Sequence, residues 1–164
     1  MDMNTQVKVL TELLTRECDF VMSLVDILSE EQTCLIKIDA DRLLELAVQK
    51  ETVMHDLDRL FQLRTRACKQ CGYPDGLSGM ESWMETVAGI ELNVRCLLEN
   101  FKTSLKQAQK LNTLNGTLVS EQLSTLQQRI SLMQKARHHN PPPTYGPDGT
   151  FGSSSPFTQR AAIR

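Results

Sequence analysis

Two rows of residues spaced by seven constrain this chain more than any other feature. Leu10, Glu17, Leu24, Glu31 and Ile38 form the first, and Leu43, Lys50, Leu57, Arg64 and Cys71 the second. The first row lies within a segment whose apolar residues recur three and four apart: Val7, Leu10, Leu14, Val21, Leu24, Leu28, Leu35 and Ile38. Leu13, Phe20, Ile27 and Cys34 widen that stripe. This period predicts a helix over 3–37 whose face other helices must cover. In "IDADRLLEL" the chain turns, and Asp39 or Asp41 can accept from the free amides of a second helix. That helix, expected over 41–70, carries Leu43, Ala47, Val53, Met54, Leu57, Leu60 and Phe61 on one face.

Folding the two helices back about so tight a bend sets Ile38 beside Leu43, Glu31 beside Lys50, Leu24 beside Leu57 and Glu17 beside Arg64. Two acids out of place on an apolar stripe thereby meet two bases out of place on another. A half-buried charge is expensive alone and tolerable when paired, and such pairs can fix the register of a helical hairpin. Glu17, Arg64, Glu31 and Lys50 are therefore read as register-fixing pairs. The competing reading leaves all four at a solvated edge.

"CGYPDGLSG" combines Pro-Asp-Gly with two further glycines and reads as a loop. Helical period resumes at Met80 and runs through Trp83, Met84, Val87, Ile90, Val94, Leu97, Leu98, Phe101, Leu105, Ala108 and Leu111. It continues beyond Gly116 with Leu118, Val119, Leu123, Leu126, Ile130 and Met133. A single helix over 80–136 would be about 85 Å long, against about 45–55 Å for the first two. The third helix must overshoot the hairpin or break near Asn115-Gly116, leaving an apolar stripe over 117–136. The expected fold is all-α: a long antiparallel hairpin plus a long third helix, a three-helix coiled-coil-like bundle over 1–137. From His138 onward Pro, Gly, Ser and Thr dominate, so 138–164 is expected to be a disordered tail.

Composition narrows the function classes. Aromatics are only 5 %, so a core must be built from Leu, Ile, Val and Met, which favours helices. Residues 1–101 carry 10 Lys/Arg against 18 Asp/Glu, and 102–164 carry 8 against 2, so balances of -8 and +6 compose the net -2. The basic end suggests a distinct binding surface. It lacks the stacking rings that a nucleic-acid site would want. No apolar run is long enough to insert in a membrane, and the opening residues lack the pattern of a secretory signal. An odd number of scattered cysteines fits a reducing cytoplasm.

Chemistry-bearing motifs are few. Cys68-Lys-Gln-Cys71 closes a helix before a loop, where a thioredoxin-like motif would want a strand before it, and no second ligand pair completes a zinc site. His138-His139 sits where a helix C-terminal dipole favours positive charge. No phosphate loop, dinucleotide fingerprint or nucleophile elbow occurs. The reading is of a protein that is not an enzyme and needs no metal or cofactor. Trp83 with Met80 and Met84 is read as core, with a partner patch as the alternative. An amphipathic helix with an open face can dock another helix, and Tyr145 in "TYGPDG" suits a short linear motif or an idle linker.

Taken in order, Glu17 and Glu31, "DADRLLELAVQKE", Arg64, "LNTLNGTL" with Asn112, Asn115 and Gly116, and "TYGPDG" resemble the FlgN-type flagellar export chaperones. The resemblance covers most of the chain. It implies a cytoplasmic chaperone that binds the C-terminal helical segments of hook–filament junction proteins, prevents premature assembly and brings them to the flagellar type III export gate. The family's client-binding helix falls on Leu118, Val119, Leu123, Leu126, Ile130 and Met133, and its gate-docking tyrosine on Tyr145. The extension after Gly149 and the extra cysteines depart from the family pattern. The alternative is a coiled-coil adaptor that buries the 117–136 face against its own copy, and homodimerisation of the free chain stays open.

Overall fold

The computed structural model describes residues 3–86 and 92–139. Among them are four α-helices and no strand: α1 (Met3–Lys37), α2 (Ala40–Gln70), α3 (Gly76–Thr86) and α4 (Leu92–His139). The protein is all-α. Residues 140–164, with Tyr145 and nearly all of the expected tail, lie outside the described residues. The chain divides into two compact units, Met1–Val119 and Ser120–Arg164.

In the first unit, α1 and α2 form an antiparallel hairpin around a two-residue turn. Ile38 N–H donates to Leu35 O at 3.3 Å and Asp39 N–H donates to Cys34 O at 3.0 Å. This is the double hydrogen bond of a left-handed helix C-cap, a position glycine usually fills. Ile38 occupies it with φ 58° and is 76 % exposed, so it leaves the apolar stripe on which the sevenfold spacing placed it. The geometry of the turn outranks the period here. Asp39, rather than Asp41, is the N-cap of α2: its Oδ1 accepts from Arg42 N–H at 3.2 Å.

Sequence period placed one third helix at 80–136; α3 and α4 are described on either side of residues 87–91, which lie outside the described residues. α3 starts four residues early, inside the stretch read as a loop, because Leu77 already belongs to the apolar period and packs on the core. Gly79 permits this. A Cβ there would lie 1.9 Å from Pro74 O, so the first turn of α3 lies tight against the loop before it. α4 runs through Asn115 and Gly116 without a break.

The core gathers Leu10, Leu14, Cys18 and Val21 of α1 with Cys68 of α2 and Val94, Leu98 and Phe101 of α4 around the α3 residues Met80, Trp83 and Met84. Trp83, fully buried, is core. Asn115 meets Leu28 and Glu31 farther along α1, so α4 runs parallel to α1 within this unit. No helix among the described residues is long and apolar enough to cross a membrane.

Candidate functional site

Two polar layers cross the hairpin. In the first, Arg64 Nε donates to Glu17 Oε2 at 2.6 Å with both side chains only 2 % exposed. Arg64 Nη1 donates to the carbonyl of Gly76 at 2.9 Å, and its guanidinium lies 5.5 Å from the Phe61 ring centre. One arginine thus ties α1, α2 and the start of α3. Burial pushes the Glu17 carboxyl above the usual carboxylate range, against the opposing pull of the Arg64 charge and hydrogen bond. In water the remaining donors and acceptors of such a pair are met by solvent, and away from it they must be met by protein.

In the second layer, Lys50 Nζ donates to Glu31 Oε1 at 2.5 Å. The other carboxylate oxygen, Oε2, accepts from Asn115 Nδ2 at 2.8 Å, and the same amide donates to Leu28 O at 2.9 Å. Asn115 is buried and joins α4 to this layer, a role that the spacing of charges on the hairpin did not suggest. A signal existed: Val94, Phe101, Ala108 and Asn115 are themselves spaced by seven, and all four are buried.

Between the two layers the first unit holds an open apolar groove of about 460 Å³. Leu24 and Leu28 of α1, Met54 and Leu57 of α2, and Leu105 and Ala108 of α4 line it. Met54 and Phe61, expected on the covered face of the second helix, remain substantially exposed along it. Asp58, whose carboxylate accepts from Gln62 Nε2 at 2.8 Å, stands on the groove as its exposed acid.

The second unit is described through residue 139, all helix, and every side chain from Ser120 to Ala136 is exposed. Val119, Leu123, Leu126, Ile130 and Met133 are between 40 and 67 % exposed, and Leu118 is partly buried. At 100° per residue these six fall within an arc of about 140°, a stripe on one side of α4. Arg129 lies between Leu118 and Met133 on the helix wheel, at the edge of the five more exposed residues.

The cysteines are all free. Cys68 is buried with its Sγ 3.8 Å from Met80 Sδ, and desolvation pushes its thiol up, which makes it a packing residue and a poor nucleophile. Among the described residues no cluster of His, Cys, Asp or Glu is arranged to hold a metal ion.

A family model described as "FlgN protein" covers residues 1–151. Neither a curated protein nor a solved structure matches the chain.

Proposed function

The chain belongs to the FlgN family of flagellar type III export chaperones, and from that premise we propose that its clients are hook–filament junction proteins, held through their C-terminal helical segments in the cytoplasm and handed to the export gate. The observation that carries the reading is the stripe of Val119, Leu123, Leu126, Ile130 and Met133, apolar side chains left 40–67 % exposed on one face of a helix. An amphipathic client helix laid along it would cover apolar surface on both partners, so that neither self-associates through it. No reaction is required of the chaperone. Release follows from competition at the gate, with Tyr145 as the docking residue, and neither nucleotide nor metal takes part. In this reading Glu17–Arg64 and Glu31–Lys50 hold the hairpin in register as a rigid handle.

The test uses the full chain. Leu123→Asp with Leu126→Asp puts two charges on the stripe at exposed positions, where the fold tolerates them. Calorimetric titration with a junction protein should show a 1:1 complex for the wild type and a loss of at least about 100-fold for the variant, from desolvating two carboxylates. Unchanged affinity with unchanged helicity rejects the assignment. For the gate, Tyr145→Ala should keep client affinity and lose capture by the isolated gate component. Equal capture of mutant and wild type removes Tyr145 from the mechanism.

A further inference from the structure

The groove between the polar layers and the exposed stripe on α4 are complementary in length, chemistry and charge. Lys50 and Arg64, the first and last residues of α2 that line the groove, are 14 residues apart, or about 21 Å of helix. Val119 and Met133, the ends of the exposed stripe, are also 14 residues apart. The groove offers Leu, Met and a small Ala108 near its middle, where a helix side chain can enter. The stripe offers Leu, Ile and Met at helical spacing.

Charge adds direction. The first 101 residues carry a balance of -8 and the remainder +6. At finer scale the groove presents Asp58, and the Val119–Met133 stripe is flanked by Arg129, about 80° from its centre on the helix wheel. Lys50, the other charged residue near the groove's end, is already engaged with Glu31. A basic residue seated over this groove therefore meets the Asp58 carboxylate, whose hydrogen-bond partner is the neutral Gln62.

We propose that, in the absence of a client, the groove of one copy is filled by the α4 stripe of a second copy, with Arg129 of each chain facing Asp58 of the other. Every copy offers one groove and one stripe, and the assembly closes at two when both contacts form within the same pair. Helix-in-groove docking places apolar anchors at i, i+4, i+7 and i+11, the spacing of Val119, Leu123, Leu126 and Ile130. The dimer goes beyond the proposed client role and is measured without any client. It also implies that a client occupying the stripe opens the dimer.

The experiment is sedimentation equilibrium of the full-length chain, alone, over a wide concentration range. The wild type should show a reversible monomer–dimer equilibrium. Asp58→Arg and Arg129→Asp each set like charges face to face and should weaken the dimer at least about tenfold. The combination of the two should restore the constant to within about threefold, because the charges are exchanged and not removed. Both residues are exposed, and unchanged Trp83 fluorescence and far-ultraviolet dichroism identify folded variants. A chain that stays monomeric at every concentration overturns the proposal. So does a dimer indifferent to either single change, or one that the double exchange does not rescue.

Discussion

Removing Arg64 while keeping its shape is the sharpest test of how this hairpin is built. Arg64→Met keeps a long side chain among Phe61 and the core but deletes the guanidinium. Glu17 then remains 2 % exposed with no counter-charge, and Gly76 O loses its donor. Breaking a buried ion pair from one side costs about 3–5 kcal/mol, a large part of the 5–15 kcal/mol typical of a whole domain. Removing both charges, as Glu17→Leu with Arg64→Met, should recover most of that loss, because well-packed apolar replacements of buried pairs are often neutral. The residue should be about 1 kcal/mol, the value of the hydrogen bond to Gly76 O.

Urea unfolding followed by the fluorescence of Trp83, the chain's single tryptophan and fully buried, reads both variants without a label. The pH dependence supplies a second readout. Glu17 already titrates above its unfolded value because of burial, so its contribution to stability is fully present below the unfolded pKa and is lost as pH rises through the folded one. Without Arg64 the folded value rises further. The gap between Arg64→Met and wild type should therefore narrow as pH falls from 7 toward 5. A single variant costing less than about 1 kcal/mol would refute the reasoning. A double variant as damaged as the sum of its parts would do the same, since it would mean the two side chains act independently.

Three smaller predictions follow from backbone geometry and packing. Ile38→Gly relieves a β-branched residue at φ 58° that buries little surface, and should stabilise the chain by about 0.5–1 kcal/mol in a thermal melt; no gain would contradict the strain. Gly79→Ala forces a Cβ to 1.9 Å from a backbone oxygen and should cost about 3 kcal/mol, whereas Gly116→Ala, in open space within α4, should gain up to about 1 kcal/mol. Equal effects at the two glycines would show that the α3 entry is slack. Asn115→Asp sets a second carboxylate against Glu31 and should destabilise most above pH 5, as read by the same urea titration.

Much of the first unit was legible because charge broke a pattern. An apolar period alone says that α1 and α2 pack, with every seven-residue shift nearly equivalent. Glu17, Glu31, Lys50 and Arg64 remove that degeneracy, and the two-residue turn at Ile38-Asp39 limits the offset, so the two contacts could be written down from spacing. Asn115 was illegible by the same method because asparagine is ordinary on a solvated helix face; only its place seven residues after Ala108 marks it. The entry of α3 was hidden by Pro74-Asp75-Gly76, which reads as a turn and also serves as the lead into a helix. The groove could not be read at all. It depends on how far α4 stands from α2, and the period of α4 states which face turns inward but not how closely it approaches.

The two charge pairs decide which registers are open to the hairpin. In the observed register the numbers of opposed residues on α1 and α2 sum to 81. Sliding by one heptad in either direction would bring Glu17 against Leu57 or Cys71, and Arg64 against Leu24 or Leu10. Glu31 and Lys50 would likewise lose each other and face leucine or isoleucine. Each stranded charge costs several kcal/mol inside protein, so the slipped hairpin loses more than the whole domain's typical stability, although in the native register the same pairs add little. Leucine at all four positions would give a hairpin at least as stable and far less particular. The physical value of Glu17–Arg64 and Glu31–Lys50 therefore lies in what they forbid, which is the set of slipped registers of α1 against α2.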